Sequence, residues 1–307
     1  MLNEVQKKIL QQIADMAAIP DGAVNIRTDG EKSFRRSTEN IEITPKSDRD
    51  GIDIRIRPFT TGEDVHIPVV VTKSGFHDTV YNDFYVGEGA QVRIVAGCGI
   101  HNCGDCDSGH DGIHTFHIGK GAKVTYIEKH YGEGEGAGKR ILNPQTVIYL
   151  QDGASITLET TQIAGVDDTK RYTKCVAEGD GSEIYVTEKL LTHGEQTAQS
   201  EMDIILNGHD SKTRVISRSV AKDSSTQIFY PRVQGNGKCF GHVSCDAIIM
   251  AQAKVRSIPE IACNHVDAAL IHEAAIGKIA GEQLLKLETL GLTPEEAEEK
   301  ILEGFLR

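Results

Sequence analysis

The chain has 307 residues, and its 33 Lys and Arg against 45 Asp and Glu give a formal net charge of −12. This acidic balance argues against a general nucleic-acid binder, because binding the phosphate backbone needs an excess of cations. No stretch of about 20 uncharged apolar residues is present, so the sequence predicts no membrane span, and its charged start does not resemble a signal peptide. We therefore expect a cytoplasmic protein whose seven cysteines are thiols, metal ligands or redox groups.

The first 84 residues predict one helix followed by an irregular region with some strands. Apolar residues from Leu2 to Met16 are spaced by three and four, as in an amphipathic helix, and Pro20-Asp21-Gly22 ends it. The alternating run of residues 51–57 is typical of a strand. We take residues 1–84 as an N-terminal helix and strand region.

From about residue 85 a unit recurs in which a glycine turn and a small residue precede an alternating strand. The turn glycines Gly89, Gly121 and Gly153 follow one another at intervals of 32 residues. Such a period, with little helix, indicates stacked copies of one short-stranded unit, whereas propeller blades repeat at about 40–50 residues. We therefore expect a mostly β fold, a right-handed parallel β-helix (a solenoid) over residues 85–268.

Residues 269–307 change character and predict a C-terminal helical domain. Apolar residues between Ile276 and Leu287 indicate a first helix, and Gly291 ends it. Thr293 followed by Pro294 and two glutamates has the N-cap, proline and early acids that begin a second helix. This helical pair would cap the solenoid or offer a docking face.

The densest group of chemically active side chains lies in residues 98–117. It contains three thiols and four imidazoles, which are Cys98, His101, Cys103, Cys106, His110, His114 and His117. The spacing of Cys103 and Cys106 suits chelation, and thiolates favour zinc, Cu(I) or iron–sulfur over magnesium or calcium. The pattern predicts a metal site for iron or zinc, and the alternative is a glycine-rich loop whose Cys and His hold no metal.

Four further cysteines carry weaker signals. Cys239, Cys245 and Cys263 have His242 and His265 close by in sequence, yet each cysteine alone is more often a small buried hydrophobe than a ligand. Cys175 lies in a strand-like run and is expected to be buried.

A glycine-rich stretch that suggests nucleotide binding does not satisfy the P-loop pattern. Glu133 stands where a P-loop has its first Gly, and Arg140 stands where it has Ser or Thr. We therefore expect no ATP site of this kind in the chain.

The C-terminal part of the chain contains the run Val266-Asp-Ala-Ala-Leu-Ile-His-Glu-Ala-Ala-Ile-Gly-Lys-Ile-Ala-Gly-Glu-Gln-Leu285. This run resembles the signature of the SufB/SufD family, the scaffold proteins of the SUF iron–sulfur cluster assembly machinery, and the similarity covers roughly residues 85–305. Residues 245–250 and 290–305 are similar to further parts of the family signature, and so is the segment 217–221. The resemblance implies a parallel β-helix followed by a helical domain, in agreement with the repeat.

The resemblance also implies site residues. In the cluster-building member of the family the thiolate matches Cys245 and a functional acid matches Glu273, with His272 beside it. A thiolate with a weaker carboxylate or imidazole co-ligand holds iron and still releases a finished cluster. The group of Cys and His side chains at residues 98–117 is not part of the family pattern.

The family implies partners as well: a SufC-type ABC ATPase on the C-terminal helices and a second SufB/SufD-like protomer, here in a homodimer. Candidate partner-binding residues are Ile276, Ile279, Leu284 and Leu285. The leading interpretation is a non-enzymatic scaffold that carries a transient iron–sulfur cluster. The alternatives are a zinc-dependent β-helix metalloenzyme using residues 98–117, or a solenoid interaction protein without metal.

Overall fold

The computed structural model describes residues 2–306, with all their side chains except those at positions 163 and 164. The chain forms a parallel β-solenoid with one helix before it and two after it, which confirms the predicted mostly β fold. The helices are α1 Glu4–Ala14, α2 Gly281–Glu288 and α3 Pro294–Phe305. The strands are β1 Ala23–Thr28, β2 Glu31–Arg36, β3 Ile41–Pro45, β4 Gly51–Ile56, β5 Thr61–Val71, β6 His77–Val86, β7 Gln91–His101, β8 Ser108–Ile118, β9 Lys123–Glu133, β10 Arg140–Leu142, β11 Gln145–Leu150, β12 Ser155–Ala164, β13 Asp168–Ala177, β14 Glu183–Thr192, β15 Thr197–Leu206, β16 Ser211–Ala221, β17 Thr226–Gly235, β18 Cys239–Ile249, β19 Lys254–Ser257, β20 Glu260–Cys263 and β21 Ala268–Gly277.

The chain passes back and forth between two sheets, adding a strand to each sheet in every coil. The first sheet has the order β2-β1-β5-β7-β9-β12-β14-β16-β18-β21, and the second runs from β19 through β17, β15, β13, β10, β8, β6 and β4 to β3. Equivalent residues of successive coils pair in register, for example Glu188 with Ser217 and Ser217 with Cys245. Paired residues of a parallel ladder point to the same side of their sheet, so equivalent positions of successive coils lie above one another on the same face.

The repeated glycines are the turns that the sequence predicts. Gly89, Gly121 and Gly153 have φ angles of 64°, 64° and 62°, in the left-handed region that glycine adopts without steric cost. The strands between these turns alternate buried and half-exposed residues, and the buried set of both sheets fills the interior. Phe84 and Phe116 stack there with ring centroids 4.1 Å apart.

Helix α1 packs on the outer face of the first sheet. Its buried Ile9 and Ile13 lie over β7, where two glycines replace larger side chains. A Cβ atom added at Gly99 would come within 2.1 Å of the Ile9 side chain, and one at Gly97 within 2.4 Å of the Ile13 carbonyl oxygen. These glycines therefore permit the close approach of the helix.

The strand ladder continues on both sides of the predicted 85–268 core, from β1 to β21. Residues 269–277, which the sequence places in the C-terminal helical domain, instead belong to β21 and pair with β18 along its length. Strand β21 pairs with the backbone N–H and C=O groups along the edge of β18, which a helix at this position would leave unpaired. The sequence does not decide between the two structures, because a short apolar run such as this one fits the period of a helix or of a strand. The helix that follows begins only at Gly281.

Helix α3 folds back on the outer face of the first sheet. Arg218 Nη1 donates to the Phe305 carbonyl oxygen at 3.1 Å, and Lys222 pairs with Glu298 at 3.3 Å. Ala297 and Leu302 are the buried residues of this helix. None of the helices in residues 2–306 is long and apolar enough to cross a membrane.

Candidate functional site at the open end of the solenoid

The last coil of the solenoid leaves apolar surface uncovered. Strand β21 ends the first sheet, β19 and β20 end the second, and within residues 2–306 no further strand pairs with any of them. Large apolar side chains are exposed here, including Ile276 at 42% and Ile261 at 41%. We call this surface, formed by β19, β20 and β21, the open end.

Cys245 and His272 meet on the inner side of the first sheet at this open end. Cys245 lies on β18 among residues that alternate buried and half-exposed, and it is one of the buried set. His272 pairs with Val243, which belongs to the same inward set. The Cys245 Sγ atom is 3.2 Å from the His272 Nε2 atom.

Partial burial sets the protonation of both groups. Burial raises the pKa of the Cys245 thiol to about 12, against a smaller opposing effect of the Ser257 hydroxyl. Burial, and then the neighbouring His242, lower the pKa of His272. The pair is therefore a neutral thiol beside a neutral imidazole, and a metal that binds the sulfur must displace a proton.

Glu273 lies on the opposite face of the same strand. It pairs with Ser244 and therefore points outwards, where its Oε2 atom is 3.3 Å from the His242 Nε2 atom. Successive residues of a strand alternate between faces, so the adjacent His272 and Glu273 cannot both face Cys245. The structure thus brings His272 to the thiol and places Glu273 on a second surface.

The open end brings two candidate metal-binding side chains of one chain close together, Cys245 and His272. Among the residues that the structure describes, no group of three or more His, Cys, Asp or Glu side chains is arranged to hold a metal ion. A tetrahedral metal site needs four ligands, and Cys245 and His272 are two side chains.

The seven candidate ligands of residues 98–117 do not converge. Cys98, His110 and His114 are buried in the interior, and burial lowers the pKa of His110 to about 4. His117 faces outwards, stacked between Tyr85 and Tyr149 with centroids 5.2 and 5.6 Å away. The remaining three, His101, Cys103 and Cys106, lie at the end of β7 and in the loop that follows it.

The interior also holds an ionic network that the sequence analysis missed. Arg171, Glu128 and His130 are all buried, with Arg171 Nη1 2.8 Å from Glu128 Oε2 and His130 Nε2 2.9 Å from Glu128 Oε1. Burial alone would raise the pKa of Glu128, but Arg171 and His130 together hold it well below its usual range. The available signal was a charged residue at an inward position of an alternating strand, as Glu128 is on β9.

Comparison with known proteins decides the family. Residues 71–305 match the domain described as SUF system FeS cluster assembly, SufBD core domain. The chain belongs to the SufBD family. The matched region contains the open end and both C-terminal helices, so the resemblance seen in the sequence is confirmed.

Curated relatives carry the same family description. An iron–sulfur cluster assembly SufBD family protein of Methanothermobacter thermautotrophicus is 29% identical over 237 residues, covering 74% of this chain and 55% of the relative. An Archaeoglobus fulgidus SufBD family protein is 27% identical over 273 residues, covering 87% of this chain and 71% of the relative. The chloroplastic SufBD family protein of Arabidopsis thaliana is 28% identical, covering 72% and 41%. The chain thus spans about half the length of the Methanothermobacter protein.

Proposed function

We propose that this SufBD family chain is a non-enzymatic scaffold on which iron and sulfide assemble into a cluster at the open end. The observation that carries the proposal is the 3.2 Å contact between Cys245 Sγ and His272 Nε2 on an uncovered coil. The nascent cluster is cargo of this site.

The chemistry of the pair suits transient binding. Cys245 supplies the thiolate that iron–sulfur clusters prefer, once iron displaces its proton. The neutral imidazole of His272 is a weaker ligand for iron than a second thiolate, so an assembled cluster is held without being trapped. Glu273, beside His242 on the outer face, is a candidate for delivering or relaying iron rather than for sharing the Cys245 ligand set.

A second copy of the chain completes the site. One open end contributes two close ligands, and a two-fold arrangement of two open ends contributes four. Strand β21 is an exposed edge, and such edges readily pair with another strand. Ile271 and Ile276, 45% and 42% exposed on opposite faces of β21, supply apolar surface for that pairing.

A SufC-type ABC ATPase is the proposed partner of the C-terminal helices. Leu285 on α2 is 61% exposed and Leu290 just after it is 74% exposed, so both are available to a partner. Leu284 instead lines a groove of about 920 Å³ between the helices and the first sheet. Ile276 belongs to β21 and Ile279 to the link before α2, so Leu285 is the strongest docking candidate.

The zinc-enzyme alternative finds less support in the fold. It needs several ligands of residues 98–117 around one ion, and the chain separates them between interior, outer face and loop. The two functions predict different metal contents, so the same analysis distinguishes them.

The test is anaerobic co-expression with a SufC-type ATPase, followed by analysis of iron, acid-labile sulfide and zinc. We expect iron and sulfide in the purified complex, and loss of both in Cys245→Ala with folding retained. Cys175→Ala, which alters a buried thiol on β13, is the matched control and should keep the cluster. Iron and sulfide unchanged in Cys245→Ala would refute the role of this thiol, and zinc alone would favour the metalloenzyme.

A further inference from the structure

A thiol, an imidazole and a carboxylate form a row at the surface, away from the open end. The exposed Cys103 has its Sγ atom 3.0 Å from the Nε2 atom of His101. The other ring nitrogen of His101, Nδ1, is 3.2 Å from the Oε1 atom of Glu133. A nucleophile next to a base that is itself oriented by a third group is the geometry of activated cysteines.

Glu133 is held firmly enough to orient the imidazole. It pairs with His101 in register across β7 and β9, and its second carboxylate oxygen accepts from Lys8 Nζ at 2.6 Å and Tyr131 hydroxyl at 2.9 Å. Burial would raise the pKa of Glu133, but these donors together with His101 lower it. A carboxylate on Nδ1 fixes the proton of the neutral ring there, which leaves the Nε2 lone pair facing Cys103.

A second thiol lies three residues along the same loop. Cys106 is exposed, and its carbonyl oxygen accepts from Asn102 Nδ2 at 2.8 Å. The other side-chain atom of Asn102, Oδ1, accepts from the Gly104 backbone N–H at 3.1 Å. Asn102 is fully buried, so one anchored side chain folds the segment from Cys103 to Cys106 into a tight turn.

This arrangement fits redox sulfur chemistry better than metal storage. Within the described part of the chain, His101, Cys103 and Cys106 do not form part of any metal-binding group of three. A Cys-x-x-Cys pair with an adjacent base is instead typical of thiols that exchange with S–S bonds.

We propose that Cys103 and Cys106 are a dithiol site that takes sulfane sulfur from a small persulfide and releases it as sulfide. That this sulfide feeds cluster assembly rests on the proposed function, whereas the sulfur reduction itself does not. No residue of the open end takes part in it.

The reaction balances in two steps. The Cys103 proton passes to His101, and the thiolate attacks the outer sulfur of a donor R–S–SH. A Cys103–sulfur bond forms, the donor S–S bond breaks, and the leaving R–S⁻ takes up the proton. Cys106 then attacks Cys103 Sγ, forming the Cys103–Cys106 disulfide and expelling HS⁻. The sulfane sulfur gains two electrons, the two thiols lose them, and an external low-molecular-weight dithiol reduces the disulfide for the next cycle.

The site is distant from the proposed assembly site. Between β7 and β18 the first sheet has five strand spacings, which amounts to about 24 Å. Variants at one site therefore leave the other intact, and the two proposals can fail separately.

The experiment uses the full-length chain, reduced and freed of excess reductant, mixed with glutathione persulfide under anaerobic conditions. Released sulfide and the mass of the intact protein are measured over time. We expect wild-type protein to release sulfide and to lose two hydrogen atoms as the disulfide forms. Cys106→Ser should instead retain one added sulfur atom on Cys103 and release no sulfide, and Cys103→Ser should do neither.

Three further variants tie the result to the geometry. His101→Gln should slow the alkylation of Cys103 by iodoacetamide on the order of tenfold or more, while the rate at the neighbouring Cys106 stays unchanged. Cys263→Ser removes another exposed thiol and should release sulfide at the wild-type rate. The proposal would be overturned if Cys103→Ser still released sulfide, or if the alkylation rate of Cys103 were the same in His101→Gln and wild type. Cys245→Ala should lose the cluster and keep sulfide release.

Discussion

The two end strands of the first sheet have opposite character. Strand β2 has the sequence Glu31-Lys-Ser-Phe-Arg-Arg36, with four charged residues in six, and it closes its end of the sheet in an antiparallel hairpin with β1. Strand β21 is Ala-, Leu- and Ile-rich with Glu273 as its one acidic or basic residue besides His272. Charged edges discourage strand addition, whereas long apolar edges invite it. The charged edge at β2 thus disfavours the addition of a further strand, whereas the apolar edge at β21 favours it.

The polar groups inside the solenoid follow the same division. Towards the middle, Glu128 is enclosed by Arg171 and His130 and is 2% exposed. At the open end, Cys245 and His272 contact each other beside uncovered strands. Interior polar groups that satisfy one another stabilise the fold, and the pair at the end is available for ligands.

The largest expected effect is on the enclosed network. Glu128→Ala leaves Arg171 buried with less compensation, so the free energy of unfolding should fall by about 3–5 kcal/mol. Because the folded pKa of Glu128 lies below its unfolded value, this contribution is complete at neutral pH and is lost as the pH falls through the folded pKa. Urea denaturation measures the loss. Asp64→Ala, which removes an exposed ion pair with Arg93, is the control and should lower the free energy of unfolding by less than about 1 kcal/mol. Equal losses in the two variants would contradict a special stabilising role of the buried network.

The next effect concerns association at β21. Ile276→Lys places a charge on the inner side of the open edge and should weaken self-association by at least about thirtyfold, as expected at an interface hot spot. Sedimentation velocity at several concentrations measures it. Lys32→Glu on β2 is the matched control at the opposite edge. An Ile276→Lys protein that associates like wild type would show that β21 is not the contact strand.

A smaller effect is expected where helix α1 covers the sheet. Gly99→Ala forces a Cβ atom against Ile9 and should reduce the free energy of unfolding by about 1–3 kcal/mol. Gly277→Ala, at the end of β21, meets nothing within 4 Å and should change it by less than about 0.5 kcal/mol. Thermal unfolding of both variants measures this difference in stability. Similar melting temperatures would contradict tighter packing beneath α1 than at the end of β21.

Much of the fold was predictable because its repeat is local. The glycines at 89, 121 and 153 mark one turn per coil, and their spacing alone indicates a solenoid. Strand β21 was missed because its apolar residues fit a helical period too, and only pairing with β18 decides between the two.

The site was harder to predict because it depends on faces and register. The family resemblance suggests Cys245, His272 and Glu273 as site residues, but the alternation that directs Glu273 outwards requires knowing that the segment is a strand. The contact of His101 with Glu133 spans 32 residues, the same interval as the turn glycines. The 32-residue repeat therefore places His101 and Glu133 at equivalent positions of successive coils. It does not show which side chains of the two coils are in contact.

We propose that two open ends together form the assembly site. Native mass spectrometry under anaerobic conditions, on wild type and Ile276→Lys co-expressed with a SufC-type ATPase, counts chains, iron and sulfide in the same particle. We predict a cluster only in particles with two copies of this chain, and its loss in Ile276→Lys although Cys245 and His272 remain. A full cluster on particles with a single copy would contradict the claim.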